Sequence, residues 1–315
     1  MIDVEKKQPT ILPQALRFAT YEEFRSFQGS DADLSTAIYA FEEMIVSGDV
    51  FNVAGRCEVC DRESDFHVDY EYCMILSDGK RIPNWRERLI CPHCNLNNRM
   101  RAAAAHILLS SKFRSNIYLT EATTPLFRAI SSRRRNVIGS EYLDDEVKKR
   151  DAAARGIRHE DVTNLTFSDG SLDVIGTFDV LEHVPNYRRA MAELFRCLKP
   201  RGTLVLTVPI NLSTQNTITR ATVDEAGAIT HLLPPEIHGD PLNGDGVLCF
   251  YNFGWDFIES LTKAGFKDAG AFVYWNPRLG YLGGYQCIII AKKPEPRRFW
   301  NFVPRVFNSW SGTNI

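Results

Sequence analysis

The chain has 315 residues, a formal net charge of −2 at pH 7 and a hydrophobic fraction of 44%. This length suits one large domain or two modest ones, and the composition is ordinary for a globular protein. The near-zero net charge excludes a whole-chain attraction to nucleic acid or to an anionic membrane. The sequence begins without the apolar core of a signal peptide and has no apolar run long enough to span a bilayer, so we expect a cytoplasmic protein.

Residues 1–50 form the first predicted region, which is helical. The patterns "YEEFRSF" and "LSTAIYAFEEMIVSG" place apolar residues at helical spacing, and Gly48 ends the second helix. Residues 51–101 form a second region, which holds five of the eight cysteines and shows little helical periodicity. Because a reducing cytoplasm disfavours disulfides, we expect metal ligands or buried thiols here.

The second region contains two cysteine pairs, "CEVC" with Cys57 and Cys60, and "CPHC" with Cys91 and Cys94. Four thiolates suit one tetrahedral zinc ion, and a site with no open position would be structural. Four buried thiols or two redox pairs are the alternative, and His93 could replace one cysteine. Basic and acidic residues balance in this region, so nucleic acid is a less favoured partner despite the local patch "RMR".

Residues 102–295 alternate between helix and strand patterns. Helices are predicted at "AAAAHILLSSKF", "TPLFRAISSRRR" and "FGWDFIESLTKAGF", and strands at "NIYLTE", "NVIGSE", "LDVIGTFDV", "TLVLTV", "DAGAFVYW" and "YQCIIIAKK". The alternation predicts an α/β fold with a doubly wound parallel sheet. Ligands of such sheets bind beyond the carboxyl ends of the strands.

The most specific motif lies in residues 176–209, where "DVLEHV" is followed by an amphipathic helix and then by "LKPRGTLVLTVP". A turn is expected at "KPRG", because Pro200 cannot continue the helix and Gly202 permits a turn. Together these motifs resemble class I S-adenosylmethionine-dependent methyltransferases of the type 11-like kind, over residues 116–293. The usual form there is "LKPGG", and this chain has Arg201 at the first glycine. The resemblance implies a Rossmann-like sheet and S-adenosylmethionine as the cofactor.

The resemblance also implies that the turn after the first strand binds the cofactor. That turn is glycine-rich in the family, whereas this chain reads "IYLTEATTPLF". We expect the small residues Ala122 and Thr123 to replace the glycines and Glu121 to contact the ammonium group of the cofactor. A helix start at Thr124 and Pro125 is an alternative reason for the same residues, and the two are compatible.

Five further cofactor-site residues follow from the resemblance. Glu141, with Tyr142 beside it, lies where the family binds both ribose hydroxyls, although a solvated loop carboxylate is the simpler alternative. Asp161 is placed to contact the adenine amino group, and Val162 to pack on the ring. Asp179, at the end of the fourth strand, lies at the same edge of the sheet.

The residues expected to act in catalysis follow the fourth strand directly. A hydroxyl acceptor benefits from a general base, and a histidine suits that role near neutral pH. His183 is therefore the predicted base, with Glu182 orienting it or capping the next helix. The alternative is that this pair only shapes the cofactor site.

The polar insert, residues 211–250, is too long for an ordinary connection and is expected to cover the acceptor site. We expect His231, His238 and Asp240 to line the acceptor pocket. Metal binding by this loop is the alternative, but "HGDP" is also typical of a turn.

The last region, residues 296–315, mixes aromatic and basic residues. This mixture suits a membrane surface or a partner groove, and the segment could equally fold back onto the domain. The predicted acceptor of the methyl group is a small molecule or a glycan-type hydroxyl. An RNA methyltransferase and a non-catalytic binding protein with the same fold are the alternatives.

Overall fold

The computed structural model describes residues 15–30, 32–143, 150, 153–154, 156–239 and 246–296. The chain begins with a short strand and two helices, which are β1 (Leu16–Phe18), α1 (Tyr21–Ser30) and α2 (Ala32–Ile45). Both predicted helices are confirmed. The strand β1 was not predicted, because three residues carry no readable period.

The cysteine-rich region is built on a small antiparallel sheet. Its elements are β2 (Val50–Cys57), β3 (Arg62–Asp69), β4 (Met74–Ile75), β5 (Arg81–Ile82), α3 (Trp85–Arg88) and β6 (Leu89–Ile90). The strands β2, β3 and β6 pair in that order, and β4 pairs with β5. Phe66, Trp85 and Leu89 of this region share one buried apolar cluster with Trp275 and Leu282 of the main sheet. The region therefore packs directly onto the larger fold.

The next part of the chain alternates between helices and parallel strands. Its elements are α4 (Asn98–Ser110), β7 (Asn116–Leu119), α5 (Pro125–Ser131), β8 (Asn136–Glu141), β9 (Arg158–His159), β10 (Leu172–Phe178), a 3-10 helix (Leu181–His183), α6 (Tyr187–Cys197) and β11 (Leu198–Thr207). The helix α4 begins earlier than predicted because the Asn97 side chain caps it, accepting a hydrogen bond from the Met100 N–H at 2.8 Å.

The expected turn at "KPRG" is instead an irregular first part of β11. Leu172 pairs with Leu198 and Val174 pairs with Thr203, so the register shifts across this stretch. Arg201, and not Gly202, adopts the positive φ, at 66°. A bulge in β11 therefore takes the place of the expected turn, and the strand begins directly after α6.

The insert consists of short antiparallel ladders. Its strands are β12 (Ile218–Thr219), β13 (Ala221–Val223), β14 (Ile229–His231), β15 (Ile237–His238), β16 (Val247–Leu248) and β17 (Tyr251–Asn252). They pair as β12 with β17, β13 with β14 and β15 with β16.

The fold closes with α7 (Asp256–Lys263), β18 (Lys267–Asn276), a 3-10 helix (Pro277–Leu279) and β19 (Tyr281–Lys292). The main sheet then has eight strands in the order β1-β18-β19-β11-β10-β7-β8-β9. The strands from β11 to β9 are parallel, while β19 runs antiparallel to both of its neighbours. The predicted doubly wound α/β fold is confirmed.

The two faces of the sheet are covered separately. Ile117 of β7 and Val174 of β10 face a cluster that includes α2, α4, α5 and the cysteine-rich region. Tyr118 and Ile175, which alternate with them, face a cluster that includes α1, α6 and α7. Among the described residues, no helix combines the length and the apolar character that crossing a bilayer requires. The aromatic tail beyond Pro296 lies outside the described residues.

Candidate active site

The crevice lies where the chain leaves the middle of the sheet on opposite sides. The strand β7 pairs with β8 on one side and with β10 on the other, and the connections from β7 and β10 diverge at their carboxyl ends. This reversal of strand order marks the ligand site of open α/β sheets. The side chains of Thr120 and Thr177 end there with buried hydroxyls that have no hydrogen-bond partner in the described part of the chain.

Glu141 organises the glycine-free turn after β7. Its Oε1 accepts hydrogen bonds from the Ala122 N–H at 2.8 Å, the Thr123 N–H at 3.1 Å and the Thr123 hydroxyl at 3.0 Å. Thr124 then caps α5, as the alternative explanation proposed. The structure thus brings Ala122, Thr123 and Glu141 together, and the Glu141 carboxylate fixes this glycine-free turn.

Gly139 of β8 supplies the close approach beneath this turn. A Cβ at this position would lie 2.6 Å from both the Glu121 carbonyl oxygen and the Phe127 ring. The close packing of turn and strand therefore depends on a glycine in the second strand rather than in the turn.

Glu121 places a partly buried carboxyl group at the mouth of the crevice. Burial raises its pKa to about 7, against a smaller lowering effect of the hydrogen bond from the Thr124 hydroxyl, which lies 2.6 Å from Oε1. A carboxyl group with this pKa gains a full charge when a cation binds beside it. The position fits the predicted contact with an ammonium group.

Asp179 is held by two arginines from the cysteine-rich region, which the sequence did not predict. Arg86 donates to both of its oxygens, with Nη1 2.9 Å from Oδ2 and Nη2 2.7 Å from Oδ1. Arg99 Nε lies 3.2 Å from Oδ2, and the Thr207 hydroxyl donates to Oδ1 at 2.9 Å. Burial acts to raise the pKa of Asp179, but the charges of Arg86 and Arg99 outweigh it and hold the pKa well below its usual range.

Glu87 fixes the two arginines in place. Its carboxylate contacts Arg86, lies 2.9 Å from Arg99 Nε and accepts a hydrogen bond from Asn97 at 2.6 Å. Burial raises the pKa of Glu87, and the charges of Arg99 and Arg86 outweigh that and lower it overall. The cysteine-rich region therefore delivers a preorganised pair of cations into the crevice.

Glu182, His183 and His238 meet beside Asp179. Glu182 is 0% exposed, and burial raises its pKa well above the usual value. His183 Nδ1 lies 2.8 Å from the Leu248 carbonyl oxygen of the insert, and the His183 and His238 rings are 4.9 Å apart. The insert therefore covers the 3-10 helix that carries the predicted base.

The other predicted site residues have local partners. Asp161 Oδ1 accepts hydrogen bonds at 2.8 Å from both the N–H and the hydroxyl of Thr163, and Val162 is buried in the core. Tyr142 is exposed and contacts the His159 ring. His231 lies exposed on β14, and Asp240 lies outside the described residues. None of these contacts decides the predicted cofactor and acceptor roles.

The four cysteines of the two pairs converge on one point. Their sulfur atoms all lie within 4.8 Å of one another, with Cys57 to Cys94 and Cys60 to Cys91 both at 3.9 Å. A tetrahedron of zinc–sulfur bonds of about 2.3 Å separates its sulfurs by about 3.8 Å. Each pair is followed by a residue at positive φ, at 56° and 58°, so the two turns are alike. The donor set and its spacing fit a zinc ion.

Comparison with known proteins gives a matching family. A family model described as a methyltransferase domain matches residues 122–206. A probable S-adenosylmethionine-dependent methyltransferase of Mycolicibacterium smegmatis is 35% identical over 79 residues, which is 24% of this chain and 30% of that protein. The chain thus spans about a third of the length of that relative.

Solved structures give distant likenesses. An S-adenosylmethionine-dependent methyltransferase from Mesorhizobium loti is 16% identical, over 61% of this chain and 97% of that one, with a TM-score of 0.39. One from Methanosarcina mazei is 17% identical, over 60% and 97% of the two chains, with a TM-score of 0.38. The strand order defines a doubly wound α/β protein of the Rossmann-like kind. Residues 122–206 of this sheet are similar to the methyltransferase domain family.

Proposed function

We propose that the protein transfers a methyl group from S-adenosylmethionine to a hydroxyl of a small-molecule or glycan-type acceptor. The observation that carries the proposal is the junction of Glu141 with the turn at Ala122 and Thr123, at the carboxyl ends of the first two parallel strands. When bound, the cofactor supplies an electrophilic methyl group on a sulfonium. The protein then has to align the acceptor oxygen with the methyl carbon and the leaving sulfur, neutralise charge and exclude water.

The residues of the crevice fit the methionine part of this cofactor. Its ammonium group suits Glu121, whose pKa burial raises against the smaller lowering effects of the Thr124 hydrogen bond and the Arg99 charge. Its carboxylate suits Arg86 and Arg99, because guanidinium groups have five donors and Asp179 and Glu87 use only some of them. The Oε2 oxygen of Glu141, which accepts no hydrogen bond within the described part of the chain, suits a ribose hydroxyl. The buried hydroxyls of Thr120 and Thr177 provide further partners.

His183 remains the proposed base for a hydroxyl acceptor. Its ring is fixed by the Leu248 carbonyl group, and the insert that provides this contact lies over the same edge of the sheet. In the cysteine-rich region we propose a structural zinc ion bound by Cys57, Cys60, Cys91 and Cys94. That ion stabilises the fold which presents Arg86 and Arg99 to the crevice.

Calorimetric titration with S-adenosylmethionine tests the site. We expect saturable binding to the zinc-loaded protein and a loss of about 10- to 100-fold in Glu141→Ala, since hydrogen bonds to charged groups contribute about 1.5–3 kcal/mol. Glu22→Ala, an exposed carboxylate on α1, is the matched control and should bind normally. Equal affinity in Glu141→Ala and the native protein would refute the proposed ribose site.

RNA methyl transfer is the second candidate, and one surface favours it. A groove between the cysteine-rich region and α5 is lined by Arg62, Arg128 and Arg133, and no carboxylate is among its described lining residues. Such a surface suits phosphates. Binding to a short single-stranded RNA that weakens steeply with salt, and weakens further in Arg62→Ala, would favour RNA as the acceptor. Absence of RNA binding would leave the hydroxyl of a smaller molecule as the acceptor.

A further inference from the structure

Three potential metal ligands converge next to the crevice, from two parts of the chain. Glu182 and His183 belong to the 3-10 helix after β10, and His238 belongs to β15 of the insert. Glu182 Oε1 lies 3.8 Å from His183 Nε2 and 3.9 Å from His238 Nδ1. Their ligand atoms all lie within 4.8 Å of one another. The sequence placed His238 in the acceptor pocket and did not connect it to Glu182.

The other nitrogen of each histidine already faces an acceptor. His183 Nδ1 is 2.8 Å from the Leu248 carbonyl oxygen, and His238 Nε2 is 3.0 Å from Glu236 Oε1. These contacts fix a proton on the nitrogens that face away from Glu182. The nitrogens that face Glu182 are then lone-pair donors. Backbone carbonyls and carboxylates orient metal-binding histidines in this way.

Glu182 provides an independent indication that a cation is involved. Its side chain is 0% exposed, and neither of its oxygens has a hydrogen-bond partner among the described residues. A buried carboxylate without donors is costly unless a cation or a proton compensates it. A single cation shared with the two imidazole nitrogens that face Glu182 would compensate this carboxylate.

The alternative cluster of Glu236, His238 and Cys249 explains less. Cys249 Sγ donates to the Tyr251 carbonyl oxygen at 3.2 Å, and burial raises its pKa to about 11, so it stays a thiol. Glu236 is also engaged by Arg220, whose Nε lies 3.2 Å from Oε2. In that cluster Glu236 therefore has the role of orienting His238.

We propose that Glu182, His183 and His238 bind a divalent cation of the first transition row, such as Mn²⁺, Co²⁺ or Zn²⁺. Two imidazoles and one carboxylate suit these ions and leave coordination positions open. Ligands of one ion at about 2.1 Å lie about 3–3.5 Å apart, so closing onto the ion needs shifts of less than about an ångström. The cation is distinct from the zinc of the four cysteines, whose thiolates favour softer ions.

The open positions indicate the class of acceptor, and this step rests on the proposed function. Glu182 lies three residues after Asp179 in the chain, so the cation lies beside the crevice. An acceptor hydroxyl bound there loses its proton to solvent more easily, because a bound cation lowers its pKa. The cation then takes over the activating role proposed for His183, because a metal-bound imidazole nitrogen has no lone pair left to act as a base. The oxygen then forms a bond to the methyl carbon while the carbon–sulfur bond breaks, and the sulfur leaves as a neutral thioether.

Manganese titration of the full-length protein, loaded with a single equivalent of zinc for the four cysteines, tests the site by the electron paramagnetic resonance signal of free Mn²⁺. We expect one bound equivalent, and a loss of affinity of about tenfold or more in both His238→Ala and His183→Gln. His231→Ala, an exposed histidine of the same insert, is the matched control and should bind Mn²⁺ normally.

Two results would overturn the metal site: no saturable Mn²⁺ binding by the native protein, or equal binding by His238→Ala. Calorimetry with S-adenosylmethionine on the same samples separates the two proposals. Mn²⁺ binding that is lost in His238→Ala while cofactor binding persists supports the site and shows that the variant is folded. Mn²⁺ binding by a native protein that does not bind the cofactor would support the metal site and refute the proposed function alone.

Discussion

The contact between Arg86 and Asp179 is the point at which the cysteine-rich region enters the candidate active site, and removing it has a calculable effect. Arg86→Ala deletes the bidentate pair, at 2.7 and 2.9 Å, and leaves Asp179 with Arg99 at 3.2 Å. Breaking a fully buried pair costs about 3–5 kcal/mol. The Arg86 and Asp179 side chains are 29% and 20% exposed, so we expect a smaller loss of unfolding free energy, about 1–3 kcal/mol.

The same substitution should also weaken cofactor binding. If Arg86 contacts the methionine carboxylate, the loss of a charge-assisted hydrogen bond corresponds to about 10- to 100-fold in Kd. Arg88→Ala is the matched control, because Arg88 lies in the same helix but pairs with Asp69 inside the cysteine-rich region. Urea unfolding and calorimetry on both variants provide the measurement. If Arg86→Ala binds the cofactor as well as Arg88→Ala does, the proposed role of Arg86 is wrong.

Three further predictions concern other parts of the site. Cofactor binding should weaken as pH falls below about 7, because Glu121 is then neutral, and calorimetry in Glu121→Gln should lose this pH dependence. The unfolding free energy of the ligand-free protein depends on pH in the opposite direction. Because the folded-state pKa of Glu121 is raised, its contribution to that free energy falls as pH rises from 4.5 through about 7. Urea unfolding of the native and Glu121→Gln proteins checks this. Cys57→Ser with Cys91→Ser should abolish equimolar zinc in mass spectrometry, and a stably folded native protein without metal would contradict the zinc site. Gly139→Ala should lower the unfolding free energy by about 1–3 kcal/mol through overpacking against Phe127, and unchanged stability would show that the turn adapts.

The elements that the sequence predicted are those with strong periodicity. The strands β7, β8 and β10 and the helix α6 are either continuous apolar runs or amphipathic patterns, so their residues determine them locally. The ladders of the insert have only two or three residues per strand, which is too short for a period to be read. The insert therefore looked like a loop.

Contacts of the candidate site could be predicted only where both residues lie in the same sequence motif. The pairing of Glu141 with Ala122 joins residues 19 positions apart within one strand-helix-strand unit, and the resemblance pointed to both. Arg86 and Asp179 are 93 positions apart, and Arg86 lies in a four-residue helix that is too short for a period to be read. Its role follows from the packing of the cysteine-rich region on the sheet, which no local pattern contains.

A crystal structure of the zinc-loaded protein with S-adenosylhomocysteine tests the central claim most directly. The account predicts the ribose against Glu141, the ammonium group beside Glu121 and the carboxylate on Arg86 or Arg99, all at the carboxyl ends of β7 and β8. A ligand bound elsewhere, or a crevice that holds no ligand at a saturating concentration, would contradict it.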